Sequence, residues 1–210
     1  MSTTQKIALA KLIPVVKLNR TEDATPLAEA LAQGGLPVME ITFRTEAAED
    51  SIRSVVKACP EMLTGAGTVT TLEQAKRAQD AGAKYIVTPG ISHTVIEYCC
   101  LIGLPVYPGV CTPSEVMQII EYGLDIVKFF PAAQYGGLST IKALSGPFPS
   151  IKYIPTGGVS EANLREYLAF PKVIACGGSW MIREDLIKAG NFKGIVTLVA
   201  KAVALAQAVQ

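Results

Sequence analysis

Residues Leu63–Gly90 have the sequence LTGAGTVTTLEQAKRAQDAGAKYIVTPG, which contains one complete strand–helix–strand unit. The apolar runs Leu63–Val69 and Tyr85–Gly90 have the length and composition of buried strands. Between them, Thr71–Ala81 shows the apolar period of a helix, begins with a good N-cap residue and is followed by Gly82, a typical helix stop. This order predicts two parallel strands joined by a crossover helix.

The same unit recurs along the whole chain. The strand candidates are Ile13–Leu18, Val38–Arg44, Leu63–Val69, Tyr85–Gly90, Val106–Val110, Ile126–Pro131, Lys152–Gly158 and Lys172–Gly178. Further helix candidates are Glu22–Gln33, Pro113–Tyr122, with Thr112 as its N-cap, and Phe192–Ala208. Left-handed C-caps are expected at Gly34–Gly35, Gly82, Gly103 and Gly123.

Eight strands alternating with eight helices in 210 residues leave about 26 residues for each unit, near the lower limit for a (β/α)₈ barrel. An open doubly wound sheet is the alternative, but no G-x-G-x-x-G motif follows the first strand. We therefore expect a single (β/α)₈ barrel domain over residues 1–210, with residues 1–12 forming an N-terminal helix or arm.

The composition excludes several classes of protein. Half of the residues (50%) are hydrophobic and 18% are charged, which argues against disorder. The net charge of +1 gives no field that would attract nucleic acid or an anionic membrane. A single histidine, His93, is too little for a histidine metal cage or a serine–histidine relay. No metal, cofactor, nucleic acid or membrane is expected as a partner.

The cysteines and the apolar segments near the two ends indicate a cytoplasmic protein. Five cysteines, an odd number that includes the neighbours Cys99 and Cys100, are unsuited to a disulfide framework. Lys11 and Pro14 interrupt the first apolar stretch, so it does not have the pattern of a signal peptide. The segment Ile195–Val209 is too short to span a membrane.

The second strand candidate carries polar side chains on one face. Because side chains alternate along a strand, Glu40, Thr42 and Arg44 should point into the barrel, at the end where active sites of this fold lie. The opposite face is apolar and consists of Met39, Ile41 and Phe43. An inward layer of satisfied ion pairs is the structural alternative, but charged groups in a barrel core favour a functional site.

The sixth strand candidate, Ile126–Pro131, places Lys128 and Phe130 on the inward face. Burial among apolar side chains disfavours the charged form of an amine and leaves a nucleophile suited to a Schiff base. Two alternatives remain, a structural ion pair with Glu40 and a surface lysine that extends its amine to solvent. Lys17, at the end of the first strand, is a weaker candidate for the same chemistry.

The last two strand candidates end in glycine-rich turns, Thr156-Gly157-Gly158 and Gly177-Gly178-Ser179. In barrels, the loops after the seventh and eighth strands commonly bind phosphate through backbone N–H groups. Each turn alone is only a tight turn, but the two together predict a phosphate site.

The remaining distinctive residues are expected to be structural. His93 is interpreted as a surface or capping residue, and Trp180 as packing below the second glycine turn. The cysteines are interpreted as small buried hydrophobes, with Cys111 and Cys176 closest to strand ends.

Motifs spread over nearly the whole chain resemble those of the bacterial 2-keto-3-deoxy-6-phosphogluconate (KDPG) aldolases, which often also act on 4-hydroxy-2-oxoglutarate (KHG). The matching segments are Glu40–Thr45 (EITFRT), Gly65–Val69 (GAGTV), Thr88–Gly90 (TPG), Pro108–Val110 (PGV), Lys128–Ala132 (KFFPA), Gly146–Phe148 (GPF), Pro155–Gly158 (PTGG) and Gly177–Trp180 (GGSW). In one departure, Ala133 stands where many members carry an acidic residue.

The resemblance implies a metal-free class I aldolase in a trimeric (β/α)₈ barrel, with a place in the Entner–Doudoroff pathway. It implies that Lys128 forms the Schiff base and that Glu40 is the general acid and base. It implies a substrate-binding set of Arg44 and Thr68 for the pyruvate carboxylate, Pro89 and Phe130 for the pocket shape, Thr156 for the aldehyde half, and Gly157, Gly158, Gly177, Gly178 and Ser179 for the phosphate.

The expected reaction is the cleavage of KDPG to pyruvate and glyceraldehyde 3-phosphate, with KHG as a second substrate. Two alternatives stay open at this point: an aldolase or epimerase for another phosphosugar on the same fold, and a phosphosugar-binding protein without catalysis. Only the catalytic alternatives need an inward lysine and glutamate together.

Overall fold

The computed structural model describes residues 1–209, in which parallel strands alternate with helices. The strands are β1 (Leu12–Val16), β2 (Val38–Thr42), β3 (Leu63–Gly67), β4 (Ile86–Val87), β5 (Val106–Tyr107), β6 (Gly109–Val110), β7 (Ile126–Phe129), β8 (Lys152–Pro155) and β9 (Cys176–Gly178). The helices are α1 (Thr3–Ala10), α2 (Ala24–Gln33), α3 (Ala48–Ala58), α4 (Leu72–Asp80), α5 (His93–Ile102), α6 (Pro113–Glu121), α7 (Gly137–Ser145), α8 (Leu164–Leu168), α9 (Glu184–Lys188) and α10 (Phe192–Gln207). A 3₁₀ turn, Thr21–Asp23, precedes α2.

The sheet is parallel throughout and strongly curled. Six strands pair in the order β5-β4-β3-β2-β1-β9, so the first strand lies between the second and the last. Strands β6, β7 and β8 form a second sheet. Pro108 alone separates β5 from β6, and its carbonyl accepts a hydrogen bond from the Lys128 backbone at 2.8 Å. The fold is therefore an α/β fold with a curled, parallel six-stranded sheet.

Isolated backbone bridges lie between the β8 and β9 segments, on the other side of the smaller sheet. Thr156 is bridged to Gly177, and Tyr153 is bridged to Val173. The Tyr153 backbone N–H also donates to the Lys172 carbonyl at 2.7 Å.

The apolar residues form two layers. The inner layer lies between the strands and consists of Ile7, Ile13, Val38, Leu63, Tyr85, Val87, Tyr107, Ile126, Ile154 and Ala175. Helix α1 closes one end of this layer through Ile7 and through the Thr4 hydroxyl, which lies 3.0 Å from the Tyr107 hydroxyl. The outer layer joins strands to helices and contains Met39, Ile41, Val127 and Phe129. These positions confirm the predicted alternation in β2 and β7.

Strands are shorter than the sequence predicts. The fourth candidate shrinks to the two-residue strand β4, two residues before Pro89, and the fifth divides at Pro108 into β5 and β6, because proline has no N–H to continue a ladder. Strand β2 ends at Thr42, so the prediction that Arg44 lies on the strand face is wrong. Of the expected left-handed C-caps, Gly35, Gly82, Gly103 and Gly123 are confirmed, with φ of 85°, 94°, 68° and 71°, whereas Gly34 has φ −74°.

Two helices begin at the N-cap residues that the sequence predicts. The hydroxyl of Thr71 accepts the Gln74 N–H at 3.2 Å. Thr112 and Glu115 form a complete capping box at the start of α6. Among residues 1–209, no helix combines the length and the apolar character that crossing a membrane requires.

The Glu115 carboxylate connects α6 to the end of β6. Its Oε2 accepts hydrogen bonds from the backbone N–H groups of Cys111 and Thr112, both at 2.8 Å. Partial burial acts to raise the pKa of Glu115, but the hydrogen bonds from Cys111 and Thr112 outweigh it and hold the pKa below its usual range.

We expect Glu115→Ala to lower the free energy of unfolding by about 1–2 kcal/mol at pH 7, since it removes an N-terminal cap and its partners. Because the carboxyl's pKa is lowered by folding, the ionised form stabilises the protein above the ordinary glutamate pKa. The difference in free energy of unfolding between the wild-type protein and Glu115→Gln should therefore disappear as the pH falls through the lowered pKa of Glu115. Urea denaturation across pH measures both effects. The control is Glu121→Ala in the same helix, expected to change stability by less than about 0.5 kcal/mol; an equal loss in both variants contradicts the prediction.

Candidate active site

A lysine and a glutamate meet on the inner face of the sheet. Lys128 in β7 is 4% exposed, and Glu40 in β2 is 2% exposed. The Lys128 Nζ lies 3.7 Å from the Glu40 Oε1, which is an ion-pair distance but too long for a hydrogen bond. Glu40 Oε1 is buried and has no hydrogen-bond partner. The carboxylate oxygen nearest to the amine is thus desolvated and makes no hydrogen bond.

Phe130 covers the amine. The Nζ of Lys128 lies 4.9 Å from the centroid of the Phe130 ring, within cation–π range. Because the ring follows β7 directly, the strand that carries the lysine also supplies a wall of its pocket.

Thr42 and Arg44 extend the polar face beyond Glu40. The Thr42 hydroxyl is buried and donates to the Val16 carbonyl at 2.8 Å. The Arg44 Nε donates to the Thr42 hydroxyl oxygen at 3.1 Å. Arg44 is exposed, and within residues 1–209 it forms no ion pair with a carboxylate. Its guanidinium therefore keeps donors available for an anion.

Thr68 and Pro89 follow the ends of β3 and β4. Thr68 has φ 53°, a left-handed conformation that a β-branched residue adopts only at an energetic cost. The Pro89 carbonyl packs against Gly109 so closely that a β-carbon on Gly109 would overlap it.

The two glycine turns line one cavity of about 180 Å³. Its lining consists of Val15, Arg44, Phe130, Thr156, Gly157, Gly158, Val159, Gly178 and Ser179. Gly157 and Gly158 have φ 93° and 78°, left-handed values that glycine adopts at no steric cost. The structure thus brings the predicted Thr156 and glycine turns together with Arg44 and Phe130.

Gly177, Thr68 and Pro89 do not line this cavity. Gly177 lies beside Thr156, whose side chain occupies the space that a β-carbon on Gly177 would need. Trp180 packs in the same way against Gly178 and is partly buried against the outer layer, as predicted.

A second cavity of about 240 Å³ adjoins the first. The two share Val15, Arg44 and Ser179, and the second is also lined by Lys17 and Arg183. Arg183 is paired with Asp185 at 2.7 Å, whereas Lys17 forms no ion pair among residues 1–209. Sequence reasoning treated Lys17 only as a rival nucleophile and missed its place beside the glycine turns. Its position just after β1 is the signal that pointed there.

Other predictions are partly confirmed. His93 begins α5 and its Nδ1 lies 2.6 Å from the Tyr122 hydroxyl, so it is a surface residue, while Ser92 occupies the N-cap. Cys100 is exposed, so the interpretation of all cysteines as buried is wrong for this residue. Burial raises the pKa of the Cys99 thiol to about 12 and raises that of Cys176 as well. Burial and the neighbouring Glu115 raise the pKa of Cys111.

The arrangement has the features of a lyase that acts on a carbonyl compound. The buried amine can form an imine with the carbonyl, and the buried carboxylate can transfer protons. The adjoining cavity offers backbone and guanidinium donors to an anion. Within residues 1–209, no group of three metal-ligating side chains comes together.

Comparison with known proteins agrees with this class. The sequence model of the KDPG and KHG aldolase family matches residues 3–198. The chain therefore belongs to the KDPG and KHG aldolase family, and it is a lyase of the aldolase type.

Several relatives are similar over nearly their whole length. A 2-dehydro-3-deoxy-phosphogluconate aldolase of Treponema pallidum (strain Nichols) is 46% identical over 188 residues, covering 90% of each chain. A KHG/KDPG aldolase of Escherichia coli (strain K12) is 41% identical, over 91% of this chain and 90% of the relative.

One solved structure is similar in both sequence and fold. The KDPG aldolase of Legionella pneumophila, with pyruvate captured as a covalent carbinolamine intermediate, has a TM-score of 0.92 and 39% identity. The alignment covers 97% of this chain and 98% of that one.

Proposed function

We propose that this protein is a class I aldolase that cleaves KDPG to pyruvate and glyceraldehyde 3-phosphate, and that it also accepts KHG. The observation that carries the proposal is the buried pair of Lys128 and Glu40, with Nζ and Oε1 3.7 Å apart. A protein that only bound a phosphosugar would not need this pair, whose burial is energetically costly.

Lys128 begins the reaction as the nucleophile. Its neutral amine adds to the C2 carbonyl of the keto acid, and loss of water from the carbinolamine leaves a protonated imine. The C4 hydroxyl gives its proton to Glu40 while the C3–C4 bond breaks, and the electron pair of that bond moves toward the imine nitrogen. The aldehyde leaves, C3 of the enamine takes a proton back from Glu40, and water then releases pyruvate from Lys128.

The carboxylate of the substrate lies at the polar strand ends. We assign it to Arg44, whose guanidinium has no carboxylate partner among residues 1–209, and to Thr68. The costly left-handed backbone of Thr68 supports a functional role there. Phe130 and Pro89 shape the apolar walls around the methylene carbon.

The phosphate lies in the cavity of the glycine turns. In this proposal the backbone N–H groups of the lining residues Gly157, Gly158, Gly178 and Ser179 surround it, and Gly177 supports the turn from behind the lining. Thr156 faces the hydroxyl-bearing carbon of the aldehyde half. Lys17, in the adjoining cavity, adds a side-chain charge that backbone donors lack. Ala133 lies against Gly158, so the glycine turn has a methyl group there rather than an acidic side chain.

We further propose that the two sheets belong to one closed (β/α)₈ barrel, a single domain over residues 1–210 that α1 covers at one end. The short break at Pro108 and the bridge between Thr156 and Gly177 support this closure. The cytoplasm is the proposed location, since all five cysteines are unpaired and a reducing compartment keeps them so.

A homotrimer is the proposed assembly. Two consecutive helices expose large apolar side chains: Leu101 is 85% exposed in α5, and Met117 is 58% exposed in α6. Ile102 and Ile120, on the same helices, are also exposed. Several exposed large apolar side chains on consecutive helices favour a surface that is covered in an oligomer.

Borohydride reduction in the presence of pyruvate should inactivate the enzyme and attach one reduced pyruvate to the peptide that contains Lys128. Mass spectrometry locates the label. Lys128→Met should abolish both labelling and activity, whereas the control Lys152→Met, at the start of β8, should preserve them. Glu40→Gln should reduce turnover by about two to four orders of magnitude, the usual value of general acid–base help. Label on Lys17, or on no lysine, contradicts the mechanism.

Removal of the substrate's phosphate should lower kcat/KM by at least about tenfold, or ~1.4 kcal/mol. Lys17→Met should lower kcat/KM for KDPG and leave that for KHG, which has no phosphate, nearly unchanged. Lys17→Arg should restore most of the loss, and Lys193→Met, a surface control on α10, should show none. Coupled pyruvate-release assays measure each value, and equal losses on both substrates argue against the phosphate role.

Light scattering at micromolar concentration should give three times the 22.2 kDa chain mass. The double variant Leu101→Glu with Met117→Glu should reduce this mass, because it places charges in the proposed interface. Leu9→Glu, an exposed apolar residue on α1, is the matched control and should leave the mass unchanged. A monomer mass for the wild-type chain would refute the trimer and leave the proposed chemistry intact.

A further inference from the structure

Gly67, the last residue of β3, lies directly against the side chain of Glu40. A β-carbon on Gly67 would overlap the Glu40 Oε1 and lie 2.6 Å from its Cγ and Cδ. The three nearest atoms all belong to this one side chain. In the strand register Glu40 pairs with Gly65 and Thr42 pairs with Gly67, so the glutamate extends along β3 toward its carboxyl end.

Space, rather than backbone conformation, requires glycine at this position. Gly67 is not among the residues with positive φ, and its backbone would accept an alanine. Its neighbour Thr68, by contrast, is the residue with the left-handed conformation. The obstacle to a methyl group at position 67 is therefore the glutamate itself.

Packing also has to determine where the Glu40 carboxylate lies. Its Oε1 is buried without a hydrogen-bond partner, and its ion pair with the Lys128 amine, at 3.7 Å, imposes no hydrogen-bond geometry on that oxygen. On the same strand, Gly65 makes similar room for the ring of Tyr85, whose hydroxyl donates to the Met39 carbonyl at 2.9 Å. Burial raises the pKa of Tyr85 well above its usual range, which keeps the phenol a donor. Tyr85 is thus fixed by a hydrogen bond, whereas Glu40 is fixed by shape.

We propose that Gly67 is a positioning residue for proton transfer: its lack of a side chain sets the Glu40 carboxylate at its 3.7 Å distance from the Lys128 amine. This inference rests on the proposed function, in which Glu40 moves the protons. A methyl group at position 67 displaces Cγ, Cδ and Oε1 together, because the side chain is enclosed and only 2% exposed. Such a displacement moves the carboxylate out of reach of the substrate carbon that it has to protonate.

The first test compares two reactions of pyruvate on Gly67→Ala. Exchange of the pyruvate methyl protons in D₂O, followed by NMR, requires both Lys128 and Glu40, and it should fall by about 10²–10⁴-fold. Borohydride labelling of Lys128 requires the imine alone and should still reach completion on longer incubation. The matched control is Ala66→Gly, which changes one methyl group on the opposite face of β3 and should keep exchange within about threefold of wild type.

The second test is a double-mutant cycle in thermal stability. Gly67→Ala should lower Tm in the wild-type background and have no such effect in the Glu40→Ala background, where the overlapping atoms are gone. If Gly67→Ala fails to fold, recovery of folding by Glu40→Ala supports the proposal, and failure of the double variant to fold overturns it.

The outcomes separate this inference from the proposed function. Wild-type exchange by Gly67→Ala, or an equal loss of Tm in both backgrounds, overturns the positioning role. Absence of labelling on wild-type Lys128 overturns the proposed function instead, and the stability cycle still reports whether Gly67 and Glu40 are coupled.

Discussion

The burial of one amine and one carboxylate inside a parallel sheet is the constraint on which the rest of the structure depends. Desolvating each ion costs several kcal/mol, and a 3.7 Å separation without a hydrogen bond recovers only part of that cost. The apolar layers on both sides of the strands supply the compensating stability. The pair is therefore a local weakness that the surrounding core supports, which is typical of a site shaped by reactivity rather than by stability.

The two halves of the candidate site are built by different means. Around Lys128 and Glu40, side chains from β2 and β7 meet in an enclosed space. At the glycine turns the backbone itself forms the surface, and left-handed φ at Gly157 and Gly158 turns it toward the cavity. Arg44 lines that cavity and also contacts Thr42, which lies two residues beyond Glu40 on β2. Arg44 thus connects the two halves, as does Phe130, which lines the same cavity and lies over the Lys128 amine.

Much of this arrangement was predictable from the sequence because it follows from local periodicity. Alternation along a strand was sufficient to place Lys128 and Glu40 inward, and N-cap preferences identified the start of α6. Strand ends were harder to predict, since Pro89 and Pro108 interrupt hydrogen-bonded ladders that the apolar pattern continues. The sequence placed Lys17 at the end of the first strand but did not show that it lies beside the glycine turns, and the contact of Gly67 with Glu40 could not be predicted, because both depend on neighbours from other strands. Exposure of Cys100 likewise depends on how α5 packs, which its composition does not reveal.

Helix α1 gives the inner space a closed floor. Ile7 fills the end of the inner layer, and the Thr4 hydroxyl lies 3.0 Å from the Tyr107 hydroxyl at the same end. Because side chains fill this end of the inner space, the cavity lined by the glycine turns lies at the carboxyl ends of β8 and β9 instead. A substitution in α1 therefore acts on that cavity through the packing of the core and not by direct contact.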